Sequence, residues 1–318
     1  MDTKNGVVKA IYTPNDVANY AIERVEYQVE NKPRALSLGV GIIDKYVKPA
    51  LPSEVVYILA HTSNGKTAFM QFWARQAVKQ LQAREDIKEV VVYITWETIV
   101  EELGLYDMCG MTGIDASSAW YGDITAEEVA KLRAVSIRRA AMPLWVIGYS
   151  LKRRREMRLT MDVVKDALEK LETEWGFKPA IIYIDYIQHI TLRDQRMDRR
   201  VAIMENVDAI QDIARDCGCP VVVGCQAGRQ VMDREFKLPE IGDGQETSRI
   251  EQDADKVLSL WYPCKSEPLG STLPVLDVPV TDDLMIMGVR KQRRAASGTV
   301  FPLRFDPAHN MFSSWQGG

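Results

Sequence analysis

The sequence predicts an α/β protein built on a mostly parallel central sheet flanked by helices, with antiparallel strands added in its C-terminal part. Three observations carry that expectation. Apolar runs of strand length alternate with helix-forming segments from Ala35 onward. The runs are apolar on successive residues instead of alternating, the pattern of strands covered on both faces. From Lys256 the long intervening helices vanish while strand-like runs continue, as expected where neighbouring strands become antiparallel.

Residues 1–34 read as an arm or linker helix. Val17, Tyr20, Ala21, Ile22 and Val25 supply apolar positions in a polar stretch that begins at Asn15. Such a helix either packs on its own domain or docks on a neighbouring subunit, and periodicity does not separate the two. Residues 35–318 follow as one domain. Its strands are expected at Val55 to Ala60, Val90 to Thr95, Leu144 to Gly148, Ala180 to Asp185 and Val221 to Cys225. Later strands fall near Val257 to Trp261, Leu284 to Val289 and Thr299 to Phe305. Met70, Ala74, Ala77 and Leu81 mark the core stripe of the helix after the first strand. Thr125 and Glu128 have the spacing of a capping box, a further helix starts after Thr160, and Val201, Met204, Val207, Ile210 and Ile213 trace another.

At 318 residues, 46% apolar and 26% charged, the chain has the balance of a globular protein. A net charge of -4 excludes a surface coated in basic residues, so nucleic-acid contact must be confined to a strip or channel. Cysteines without C-x-x-C spacing and histidines far apart in sequence indicate no zinc site. Cys217, Cys219 and Cys225 flank or end an apolar run and read as small buried hydrophobes, which fits a reducing, cytoplasmic compartment. No apolar run approaches the ~20 residues needed to span a bilayer, and no membrane role is expected.

The most informative stretch is Ala60-His61-Thr62-Ser63-Asn64-Gly65-Lys66-Thr67, set between an apolar strand and a helix. A strand that turns tightly into a helix aims backbone N–H groups and the helix dipole at one point, where phosphate sits. Ser63, Asn64, Gly65, Lys66, Thr67 and Ala68 are the expected nucleotide-binding residues. Lys66 would reach the terminal phosphates and the Thr67 hydroxyl would hold a bridging magnesium, so the expected cofactors are ATP and Mg2+. Asp185, ending an apolar strand, is the second expected magnesium ligand. Glu97 follows another strand, at the edge where open α/β sheets place their ligands, and is expected to polarise the attacking water. Opening the next helix suits the same carboxylate. Gln226, at the end of a third strand, is placed to sense the terminal phosphate.

Several segments together resemble the RecA-like motor domain of DnaB-type replicative helicases, a family of ring-forming P-loop NTPases. They are Ser63 to Thr67, Thr95-Trp96-Glu97-Thr98, Asp185-Tyr186-Ile187-Gln188, Ile250-Glu251-Gln252-Asp253-Ala254-Asp255, and Lys291-Gln292-Arg293 before Ser297-Gly298-Thr299. The likeness runs from about Leu38 to the C-terminus. It implies an ATP-driven helicase or translocase that acts on single-stranded DNA as a homo-oligomer, expected to be a hexamer. It also implies catalytic roles for Glu97, Lys66 and Gln226, with Lys291 and Arg293 reaching into a neighbouring subunit's nucleotide site.

The chain departs from the family pattern at the DNA-contacting loop, where Gln245-Glu246-Thr247-Ser248 stands in place of Arg-Glu-Ser-Gly and Arg249 is displaced. Gln245, Glu246 and Ser248 remain candidate DNA contacts through their backbone, and Arg196, Arg199 and Arg200 form a second candidate surface. Only some fifty residues precede the phosphate loop, so a motor stripped of the family's N-terminal helical domain is expected, as a phage or mobile element would encode. Primase and loader contacts stay open. The alternative is a RecA-fold ATPase that regulates or assembles partner proteins with little DNA binding.

Overall fold

A computed structural model describes residues 11–31, 35–84, 88–152, 158–191, 196, 198–244 and 248–316. The chain divides into two units, Met1–Leu36 and Ser37–Gly318.

The first unit is helical, with α1 spanning Pro14–Asn31. Thr13 starts it. Its N–H donates to Asp16 Oδ2 (2.8 Å) while the Asp16 N–H donates to the Thr13 hydroxyl (3.2 Å), a reciprocal cap that leaves Pro14 at the first helical position, where it lacks nothing. Within this chain the apolar side chains of Val17, Tyr20, Ile22, Val25 and Val29 are exposed.

The second unit runs, in order, α2 (Gly41–Tyr46), β1 (Val55–Ala60), α3 (Lys66–Gln82), β2 (Glu89–Thr95), α4 (Val100–Thr112), α5 (Ala116–Tyr121), α6 (Ala126–Ala140), β3 (Leu144–Ile147), α7 (Met161–Thr173), β4 (Lys178–Asp185), α8 (Arg199–Asp216), β5 (Val221–Gln226), α9 (Ser248–Asp253), β6 (Lys256–Trp261), β7 (Thr272–Leu273), β8 (Val278–Pro279), β9 (Leu284–Gln292), β10 (Val300–Asp306) and β11 (Met311–Ser314). One sheet collects most of the strands in the order β11-β10-β9-β6-β1-β5-β4-β2-β3, and β7 pairs with β8 apart from it. Neighbours from β6 to β3 are parallel, and β6-β9, β9-β10 and β10-β11 are antiparallel.

Burial explains the unbroken apolar runs. Every residue of β1 is buried, because helices cover both faces. On α3 the expected stripe of Met70, Ala74, Ala77 and Leu81 is buried, joined by Phe69, Phe72 and Trp73. On α8 Val207, Ile210 and Ile213 face the core, whereas Val201 and Met204 are exposed. The capping box of Thr125 and Glu128 forms at the start of α6, and Thr160 caps α7.

The antiparallel extension begins one strand later than the sequence pattern suggests. β6 lies parallel to β1, Val56 opposite Lys256 and Ala60 opposite Leu260. Short 3-10 turns and the six-residue α9 make the return from β5, so no long helix marks that crossover. Helices α4 and α5 and strand β11 carry no clear periodic signal in the sequence.

Candidate active site

The carboxyl ends of β1, β2, β4 and β5 converge on a cavity of about 400 Å³, a size that suits a small-molecule ligand. Ser63, Gly65, Lys66, Thr67, Ala68, Glu97 and Gln226 all line it. Asn64 does not. Its N–H donates to the His61 carbonyl (3.1 Å), and its side-chain oxygen accepts from the Tyr262 N–H (2.8 Å), so it braces the loop against the end of β6. Gly65 has φ +77°, a left-handed conformation that favours glycine at the turn into α3, and it lies against the flexible end of Met285 on β9, whose Cε would be 2.8 Å from a Cβ there.

Lys66, the first residue of α3, reaches across the cavity floor. Its Nζ is 3.4 Å from Asp185 Oδ1 and 3.3 Å from the centre of the Tyr186 ring. Burial pushes the ammonium below its ordinary pKa, and the Asp185 carboxylate opposes that shift. Gly224 on β5 makes the room: a Cβ there would come within 3.2 Å of Lys66 Cδ and 3.1 Å of Tyr186 Cβ. The Tyr186 hydroxyl shares a 2.6 Å hydrogen bond with His189 Nε2.

Asp185 is fully buried at the end of β4, opposite Thr95. The Tyr93 hydroxyl donates to its Oδ2 (3.0 Å), while Oδ1 has no hydrogen-bond partner. Gln226 ends β5 and its side-chain Nε2 donates to the Thr62 hydroxyl (2.7 Å). Just beyond it Ala227 pairs with Gly244, and the Gly228 N–H donates to the Asp243 carbonyl (2.6 Å). The residue after Gln226 is therefore tied to the residue before Gln245.

Lys291 and Arg293 do not line the cavity of their own chain. Lys291 Nζ donates to the Glu251 carbonyl (2.6 Å) and Arg293 donates to the Gln252 carbonyl (3.2 Å), so both cap the C-terminal end of α9. A register shift in the β6–β9 pairing skips Arg290, a bulge of the kind that re-aims neighbouring side chains.

Of the candidate DNA contacts, Gln245 and Glu246 lie outside the described residues, and Ser248 is the first residue of α9. Arg199 and Arg200 are exposed on the first turn of α8, and Arg196 is exposed two residues before its cap, Asp198. Arg249 is engaged by Asp208 (2.5 Å) and Asp253 (2.7 Å). Sequence reading missed Tyr186, Tyr262, Lys265, Phe305 and Pro307, which complete the cavity wall. Only strand pairing brings them there, apart from Tyr186, which adjoins Asp185.

Strand order, loop position and the converging polar groups make this a RecA-fold P-loop domain. Residues 35–314 match the model of the DnaB-like helicase C terminal domain, and the chain belongs to that family. It is 24% identical over 305 residues to a probable replicative DNA helicase of Trieres chinensis, covering 95% of this chain and 62% of that relative. It is 26% identical over 300 residues to the replicative DNA helicase DnaC of Bacillus subtilis (strain 168), covering 93% and 61%. Among solved structures, one described as an ATPase domain superposes with a TM-score of 0.74 at 20% identity, covering 94% of this chain and 98% of that one. A DnaB-like replicative helicase, from a structure that describes its interactions with primase, gives 0.72 at 19% identity, covering 88% and 63%. The chain thus spans about six tenths of the length of these two curated relatives. Among the described residues no helix is long and apolar enough to cross a membrane.

Proposed function

We propose that this chain is the ATP-hydrolysing motor of a DnaB-type helicase, acting on single-stranded DNA as a ring with nucleotide between adjacent subunits. The convergence of Lys66, Glu97 and Gln226 on one cavity, with the buried Asp185 carboxylate 3.4 Å behind the Lys66 ammonium, carries the reading. In it, backbone N–H groups around Gly65 and the N-terminus of α3 bind the phosphates, and Lys66 neutralises charge on the terminal ones. Glu97 lines the same cavity and accepts a proton from the attacking water. Gln226 exchanges its Thr62 partner for the terminal phosphate, and the Ala227–Gly244 pairing passes that change toward residues 245–248.

The donor set fits magnesium. Asp185 Oδ1 is a buried hard oxygen that accepts no hydrogen bond and faces the Lys66 ammonium at 3.4 Å, and Thr67 lines the cavity beside Lys66. When bound, that ion would neutralise charge on the phosphoryl oxygens. Lys291 and Arg293, outside their own cavity, supply charge to a neighbour's.

The test is ATP hydrolysis by the purified chain with and without single-stranded DNA across a salt series. Stimulation that weakens steeply with salt is expected, because phosphate contacts release counterions, and Lys66→Ala abolishes turnover. Turnover that DNA never stimulates would support instead an ATPase that acts on protein partners.

A further inference from the structure

Gln188 occupies the 3-10 turn Ile187–His189 that follows β4. Nothing in the hydrolysis scheme uses it, yet it makes a specific two-way contact with the end of β5. The ladder between β4 and β5 stops at Ile184 opposite Val223. Beyond that point β4 turns away, and three further residues of β5 lose their neighbour on that side. Gln226 is the last of them. On its other side it still pairs with Ala60 of β1.

The Gln188 carboxamide fills the gap. Its Oε1 accepts the Gln226 N–H (3.2 Å), and its Nε2 donates to the Gln226 carbonyl (3.3 Å) and to Cys225 Sγ (3.3 Å). A side-chain amide presents the same donor and acceptor as a peptide group, so it extends the sheet ladder where the strand no longer can. The opposite amide orientation would set donor against donor and acceptor against acceptor. The backbone of Gln226 is thereby held from both sides, by β1 and by a residue three positions after Asp185. With the backbone fixed, its side chain points at Thr62 and the cavity.

We infer that Gln188 is a positioning residue for hydrolysis: its amide clamps the main chain of Gln226 and so sets the direction of the Gln226 side chain toward the terminal phosphate. The inference rests on the reading of Gln226 as the residue that senses that phosphate. A positioning role of this kind acts through one other residue. That makes it separable from a general contribution to folding, because effects on a single coupled unit do not multiply.

The experiment is a double-mutant cycle of Gln188→Met and Gln226→Ala in the full chain, read as ATP turnover with oligothymidylate present. Methionine keeps the length and removes the hydrogen bonds. We expect Gln188→Met to lower kcat about tenfold while KM for ATP changes by less than about twofold. In the Gln226→Ala background the same change should cost less than about twofold further. Gln188→Glu, equal in length and unable to donate, should match Gln188→Met, and it carries the cycle should the methionine variant melt at a much lower temperature. Multiplying effects, or wild-type kcat in both Gln188 variants, would overturn the inference. Normal turnover in Gln226→Ala alone would instead remove the sensing role on which it rests, and Lys66-independent hydrolysis would remove the ATPase reading itself.

Discussion

The Tyr93 hydroxyl donates a 3.0 Å hydrogen bond to Asp185 Oδ2 in a fully buried setting, which leaves the other carboxylate oxygen as the one facing Lys66. Burial, and then the charge of Asp185, pushes the Tyr93 phenol far above its ordinary pKa, so it stays a donor at any working pH. The two residues stand on adjacent parallel strands, β2 and β4, and the register that pairs Thr95 with Asp185 aligns them.

Tyr93→Phe should therefore leave a buried carboxylate oxygen without its donor, at a cost of about 1–3 kcal/mol in stability. It should also raise the magnesium concentration needed for half-maximal hydrolysis. A divalent titration of ATP turnover beside a urea melt checks both, and an unchanged titration midpoint would detach Tyr93 from the proposed metal site.

Arg293→Ala should reduce turnover by about 10³-fold or more while leaving nucleotide binding intact, the magnitude of an arginine finger. Mixing Arg293→Ala with Lys66→Ala chains should restore part of the activity. In a mixed ring the Lys66→Ala copy still offers its own Arg293 to a neighbour whose Lys66 is intact. Failure to complement on mixing, with both variants assembled, contradicts action between subunits.

Asp107 sits between Arg139 (2.7 Å) and Arg75 (3.6 Å), both arginines mostly shielded from solvent. Asp107→Asn removes the negative charge that the two cations share, which typically costs about 3–5 kcal/mol when such a pair is buried. The urea midpoint should fall accordingly. A shift below about 1 kcal/mol would mean that water reaches these arginines.

His309 shares a 2.7 Å hydrogen bond with Asp306, and that bond lifts its pKa above the ordinary 6.5. A raised folded-state pKa gives stability that is complete below about pH 6.5 and disappears as pH climbs through the folded value. The pair is partly exposed, so the gain is under about 1 kcal/mol. Wild-type protein should lose about 2 °C or less in Tm from pH 6 to pH 8 relative to His309→Gln. A widening gap in the opposite direction would contradict the linkage.

Much of the candidate site was legible because it is local. The loop from Ser63 to Thr67 and the strand-end carboxylates announce themselves by composition and by their place after apolar runs. The fold class followed from the same runs. What sequence did not show is contact made by residues distant in the chain. Asn64 has the spacing of a nucleotide ligand, yet it braces Tyr262. β6 lies parallel to β1 because its crossover uses turns and one short helix, which leave no periodic trace. Lys291 and Arg293 stand out by motif alone, while their seat on the end of α9 depends on strand pairing.

Gly65 packs against Met285, and Asn64 holds Tyr262. During synthesis the nucleotide loop leaves the ribosome about 220 residues ahead of the methionine that will support it, an interval of roughly 10–45 s at ordinary elongation rates. A nascent chain cut short before β9 would carry every residue of the loop from Ala60 to Thr67 and still lack the floor on which it rests. Nucleotide added to a translating extract should accordingly protect only nearly finished chains from protease.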